Sequence, residues 1–309
     1  MITDTILHID DQNWSCTSAG QPRGYIQPET LSELWFHTGT VCNLQCPFCL
    51  EGSKPADNRL GQPSFDDLQP IIDEALKLDV HWFSFTGGEP FVNKELVRIL
   101  KYALEHRPCL VLSNGTLPLA RRLQELLPLL QKPNPLRIRI SLDAPNAEAH
   151  DVGRGAGNFI LALDTLRALH NAGFGISVAR LMLPEEDKDE VDNRYRLLFQ
   201  QNRLPESLPI VAFPDFLNPG EHPEGIPEIT QNCMTTYHTE ASRASFMCAY
   251  SKMVVKKNGK MRVYACTLVD DDPDYDLGGT LTEAMRYRVM LRHHRCFSCF
   301  AHGASCSER

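Results

Sequence analysis

No stretch of this 309-residue chain approaches the roughly eighteen consecutive apolar residues of a membrane-spanning helix. The first residues, MITDTILHIDDQNW, carry acids where a secretory signal carries bases, so export is not expected. No block of Lys and Arg interrupts a formal charge of −8, which argues against a nucleic-acid partner. Repeats of fixed period and low-complexity tracts are also lacking. These absences leave a globular, cytoplasmic protein, and 42% hydrophobic residues suffice for a real core. In a reducing compartment its eleven cysteines stay as thiols, available to metals or to buried packing.

Three of those cysteines are compactly placed: Cys42, Cys46 and Cys49 form C-x3-C-x2-C in VCNLQCPFC. Three thiolates leave one corner of a four-iron cube open to a small molecule. A zinc knuckle or three structural thiols is the alternative that the residues alone leave open. The spacing, with Phe48 before the last cysteine, resembles the radical S-adenosylmethionine (SAM) superfamily. That resemblance implies a 4Fe-4S cluster whose open iron is chelated by the methionine end of SAM. It implies reductive cleavage of SAM to a 5'-deoxyadenosyl radical, which takes a hydrogen atom from substrate.

From residue 33 to about 213 short β-like runs alternate with helical patterns, the signal of parallel β/α units. Strands are expected at Glu33 to Thr38, His81 to Thr86, Cys109 to Leu112, Leu136 to Leu142, Gly175 to Leu183 and Leu208 to Phe213. Helices are expected near 65–78, 93–106, 117–131, 157–172 and 188–202. With right-handed crossovers this makes an α/β chain with a partial (β/α)6 TIM-like barrel, its function at the C-terminal ends of the strands. Four segments follow: a cap at 1–32, the barrel core at 33–215, a connector at 216–247 and a small α+β domain at 248–309.

Each strand end carries a polar motif. Thr86-Gly87-Gly88-Glu89-Pro90 follows the second strand, Ser113-Asn114-Gly115-Thr116 the third and Ser141-Leu142-Asp143 the fourth. Taken singly these are ordinary turn and cap residues. Within the resemblance, Gly87, Gly88 and Glu89 receive the methionine ammonium. Ser113 and Asn114 meet the ribose or methionine end, Ser141 reaches the methionine carboxylate, and Phe48 and the backbone of 176–178 border the adenine. Arg154, in HDVGRGAGNF, pairs with the SAM carboxylate or is a surface Arg beside a helix start.

A second cysteine group closes the chain: Cys248 and Cys266, then Cys296 and Cys299 as C-x2-C. Asn258-Gly259 between apolar runs predicts a hairpin that brings the first two together. A four-Cys zinc site is the bland alternative. Leu277 to Ala284 resembles the link of the SPASM and twitch extensions of radical SAM enzymes. The chain lacks the C-x2-C-x5-C-x3-C run of the full SPASM pattern, so the resemblance implies a twitch-like domain with one auxiliary 4Fe-4S cluster on these four cysteines. Cys233 and Cys306 are spare candidates, and His293, His294 or His302 unusual ones. Cys16 and Cys109 read as small buried hydrophobes. Asp215, His222 and Tyr264 read as loop or hairpin residues, and no catalytic base is assigned.

The main expectation is therefore an oxidation of a small metabolite, with a flavodoxin- or ferredoxin-type electron donor. The short N-terminus leaves little room for a leader-peptide-binding domain, which favours that reading over modification of a peptide or protein side chain. A non-catalytic iron-sulfur carrier is the rival from another class.

Overall fold

The computed structural model describes residues 12–183, 185–214, 216, 219–221, 223–303 and 307. Asp215, His222 and Cys306, together with the side chain of His302, lie outside the described residues.

A short helix α1 (Gln12–Ser15) and strand β1 (Tyr25–Ile26) precede the barrel. The barrel runs β2 (Glu33–His37), α2 (Phe65–Lys77), β3 (Trp82–Thr86), α3 (Leu96–His106), β4 (Cys109–Ser113), α4 (Leu117–Leu126) and β5 (Leu136–Ser141). It continues through α5 (Ala147–Arg154), α6 (Asn158–Ala172), β6 (Gly175–Leu181), α7 (Lys188–Gln201) and β7 (Ile210–Phe213). Strands β2 to β7 lie side by side in chain order, each pair parallel. The partial barrel is thus as expected.

The apolar runs explain it. Leu34, Trp35 and Phe36 on β2, Phe83 and Phe85 on β3, and Ile138 and Ile140 on β5 are fully buried, as in parallel strands covered on both faces. Helix α3 buries Leu96, Ile99, Leu100, Ala103 and Leu104, a stripe at three- and four-residue spacing that lies on the sheet. Ser64 starts α2 with a capping box closed by Asp67. The helix expected over 117–131 ends as α4 at Leu126 and tightens into a 3-10 turn over Leu127–Gln131, where Pro128 has no N–H to continue the ladder. Helix α5 was not expected, and Gly155 and Gly157, at φ +91° and +83°, separate it from α6.

Beyond β7, α8 (Gln231–Thr236), α9 (Glu240–Ala244) and α10 (Met247–Tyr250) lead to β8 (Ser251–Lys257). Strand β8 pairs parallel with β2, at the free edge of the barrel, and antiparallel with β9 (Lys260–Tyr264). Asn258 and Gly259 join the two with φ of +51° and +76°, the twist a tight hairpin requires. The C-terminal module therefore continues the barrel sheet, which has eight strands. It ends with α11 (Leu281–Ala284), β10 (Val289–Met290) and α12 (His294–His302).

The segment before β2, expected as a cap on the barrel, is tied in its described part to this C-terminal module. Strand β1 pairs with β10, and Trp14 meets Tyr275 edge-on at 5.1 Å. Among the described residues no helix is long and apolar enough to cross a membrane.

Candidate active site

The loop after β2 is drawn back over the strand ends by its own backbone. Glu89 N–H donates to Val41 carbonyl at 3.1 Å and Gly88 N–H to Gly39 carbonyl at 2.9 Å, so the turn after β3 lies flat against residues 39–41. A Cβ at Gly88 would fall 2.4 Å from Val41 carbonyl oxygen and 2.6 Å from that of Thr40. Only glycine permits this approach. Gly87 has φ +141°, which also excludes most side chains. The turn thereby positions Cys42, Cys46 and Cys49 at the mouth of a cavity of about 220 Å³.

Gly87, Gly88, Ser113, Asn114, Ser141 and Arg154 line the same cavity, and Phe48 borders it. Of the residues expected around SAM, Glu89 and the 176–178 stretch of β6 are absent from its wall, to which β6 contributes Ala179, Arg180 and Leu181 further along the strand. The Glu89 carboxylate is buried and accepts hydrogen bonds from Ser113 Oγ (2.9 and 3.1 Å), Asn114 N–H (2.8 Å) and Phe91 N–H (3.1 Å). Burial pushes this acid up to about 7, against the pull of those donors. Glu89 is therefore a strut that fixes the tip of β4 to the tip of β3.

Contacts not anticipated brace the wall. Asn43 Nδ2 donates to Thr116 Oγ1 at 2.9 Å and Asn43 Oδ1 accepts from Asn114 Nδ2 at 3.0 Å, locking the cysteine loop to the turn after β4. Asp143 holds the Arg154 guanidinium through both oxygens, one at 3.0 Å. The Arg154 fork expected to meet a carboxylate of SAM is thus already engaged, although it still faces the cavity. Phe48 is pinned beneath α5: a Cβ at Gly153 would come 2.2 Å from its ring, and Arg154 lies 5.8 Å from the ring centre. Asn43, Thr116 and Asp143 all stood in quoted motifs but had no assigned partner.

The thiols are poor acids here. Burial pushes Cys42 up to about 12 and raises Cys46 and Cys49 as well, while Arg154 partly offsets the last two. Such thiols become thiolates when a metal cation supplies the charge, so the donor set suits a metal site better than a free nucleophile.

A second thiol group lies in the C-terminal module. Cys248 on α10, Cys266 after β9, and Cys296 and Cys299 on α12 line one small pocket walled by Phe246, Leu268, Val269 and Tyr275. Burial pushes Cys248 up to about 11 and Cys296 to about 12. It also pushes the neighbouring Lys252 ammonium down to about 8, against the opposite pull of Cys248 and Cys266. Among the described residues no three cysteine sulfurs lie within 4.8 Å of one another. Cys233 stands apart on α8, bonded to Thr230 Oγ1 at 3.1 Å. His293 pairs with Asp271, and neither it nor His294 lines the thiol pocket. Tyr264 is buried and accepts from Lys257 Nζ at 2.8 Å, away from the main cavity.

The spacing also missed a buried trio that joins the two halves: His37 at the end of β2, Glu51 after the cysteine loop, and Asp270 beyond Cys266. Gly39 N–H points at His37 Nδ1 (3.2 Å), which leaves the proton on Nε2, and Nε2 donates to Glu51 Oε2 at 3.1 Å. That tautomer turns an N–H, not a lone pair, toward the carboxylates, so the trio is a proton-sharing contact. Burial pushes Asp270 up to about 7.

Two measurements follow. Gly88→Ala should lower stability by about 1 to 3 kcal/mol in denaturant unfolding, because the added methyl must displace backbone. Asp270 holds its proton in the fold up to about 7, and in the unfolded chain only to about 3.9. The native state thus binds the extra proton between those values, and stability falls as pH rises through them. Asp270→Asn should remove that part of the slope, gaining on the unsubstituted protein as pH rises from about 4 to about 7; parallel curves would exclude a raised Asp270.

The model of the Radical SAM superfamily matches residues 36–198. Mycofactocin maturase MftC of Mycolicibacterium smegmatis is 33% identical over 153 residues, 49% of this chain and 38% of that protein. The antilisterial bacteriocin subtilosin biosynthesis protein AlbA of Bacillus subtilis is 34% identical over 140 residues, 45% of this chain and 30% of AlbA. The matched region thus spans well under half the length of these curated relatives. In fold, the chain resembles SuiB of Streptococcus suis bound to the precursor peptide SuiA, with a TM-score of 0.58 and 14% identity over 83% of this chain and 64% of SuiB. Since the family match runs from β2 through the three-cysteine loop and the tips of β3, β4 and β5 into α7, over more than half of the chain, this protein belongs to the radical SAM superfamily of enzymes.

Proposed function

We propose that this radical SAM enzyme modifies a side chain of a peptide. The observation that carries the reading is the convergence of three thiols and the polar tips of β3, β4 and β5 on one cavity. Cys42, Cys46 and Cys49 would hold the 4Fe-4S cluster. The backbone of Gly87 and Gly88, with Ser113, Asn114 and Ser141, would hold SAM, and Glu89 would keep those tips in register. Bound there, the cluster and SAM supply hydrogen-atom abstraction by a 5'-deoxyadenosyl radical, with the electron drawn from a flavodoxin- or ferredoxin-type donor.

The chain's own part is to bind, orient and exclude water. Trp35 and Ser53 line the cavity, and Trp35 Nε1 and Ser53 Oγ are buried with no hydrogen-bond partner among the described residues. Buried donors of this kind are costly unless a ligand meets them. A substrate amide carbonyl is the right acceptor. Cys248, Cys266, Cys296 and Cys299 would hold one auxiliary 4Fe-4S cluster in a twitch-like domain over 248–309.

Oxidation of a small metabolite, the main expectation from the sequence, has the weaker support. Two relatives are named a maturase and a bacteriocin biosynthesis protein, and SuiB was solved with a precursor peptide. These names favour the peptide alternative.

Anaerobically reconstituted protein should carry about eight irons and little zinc. Changing Cys42, Cys46 and Cys49 together to Ala should leave about four irons and abolish SAM cleavage; retained cleavage would refute the site. Peptides encoded beside the gene should raise 5'-deoxyadenosine formation and change in mass. Stimulation by small alcohols or sugars, with every peptide inert, would overturn the substrate class.

A further inference from the structure

Lys252, on β8, is fully buried beside the second thiol group. Its ammonium donates to the carbonyls of Cys248 (2.9 Å) and Ser251 (3.0 Å), which uses two of its three N–H groups. Among the described residues no carboxylate pairs with it, and the ionisable groups that act on it are Cys248 and Cys266. A buried cation without an anion is strongly unfavourable, so this position calls for negative charge. The cation that lines the pocket, Arg295, is already committed. Arg295 faces Asp271 at 3.6 Å and donates to the carbonyls of Leu50, Phe216 and Leu268.

We infer that Lys252 is the charge-offsetting residue of the auxiliary cluster and favours its one-electron-reduced state. The inference rests on the assignment of Cys248, Cys266, Cys296 and Cys299 to that cluster. Four thiolates around a 4Fe-4S core are net negative, and more so after an electron is added. A nearby cation in a low-dielectric pocket stabilises the more negative state most, so it raises the reduction potential. In the step itself the cluster gains one electron from the reductant, no bond forms or breaks, and the ammonium keeps its protons. Lys252 touches no substrate; it is a positioning residue whose effect is electrostatic.

The test uses Lys252→Gln and Lys252→Arg in the triple Cys42, Cys46 and Cys49 to Ala background, so that only the second thiol group can hold iron. Each protein is reconstituted anaerobically, assayed for iron, and titrated with dithionite while the reduced cluster is followed by EPR. The parent and Lys252→Arg should carry about four irons with similar midpoints. Lys252→Gln, which keeps a donor but loses the charge, should show a reduction constant at least tenfold lower, a shift of about 59 mV to more negative potential. Loss of iron from Lys252→Gln but not from Lys252→Arg would support the same role. Lys252→Gln with full iron and an unmoved midpoint would overturn it, as would equal losses in both variants, which point to packing. A parent without iron would instead sink the auxiliary-cluster assignment, and this inference with it.

Discussion

The close approach of the Gly87-Gly88 turn to residues 39–41 is the contact on which the site depends. It brings the start of the cysteine loop within backbone hydrogen-bonding distance of the end of β3, and a single methyl at Gly88 would part them. Glu89, next in the chain, then reaches from β3 to the end of β4 and binds Ser113 and Asn114. Asn114 reaches back to Asn43 in the cysteine loop, closing a ring of contacts. Loop and strand tips are therefore one rigid unit, and the direction of each polar group is set before any ligand arrives. Such preorganisation is what a cofactor with a reactive product requires.

Charge is distributed with the same economy. Cys46 and Cys49 share the half-buried Arg154, itself held by Asp143, while the second group has Lys252. Each cation sits where burial disfavours thiolates and where metal ligation would create them. The difference between the two is informative: Arg154 has a carboxylate partner and Lys252 has none among the described residues.

Continuity of the sheet couples the halves. Because β8 pairs directly with β2, the C-terminal thiols stand at a fixed place relative to the barrel, and His37, Glu51 and Asp270 add a buried contact between the strand, the cysteine loop and the module. Thr267, next to Cys266, lines the main cavity, so the same wall serves both regions.

The sequence by itself determined what depends on near neighbours. Apolar runs placed β2 to β7, because a parallel strand must be apolar on both faces. The spacing of Cys42, Cys46 and Cys49 is a local property that three thiols carry wherever they fold, and Asn258-Gly259 declared its hairpin through backbone preference alone. Tertiary structure decided what depends on distant pairs. That Glu89 meets Ser113, that Arg154 is held by Asp143, and that Lys252 has thiols for company follow from how strands are brought side by side, and no periodicity encodes it. The N-terminal segment shows the same limit. Tyr25 and Trp14 are apolar in any fold, but only pairing with β10 and contact with Tyr275 give them a place, because burial is a property of the partner as much as of the residue.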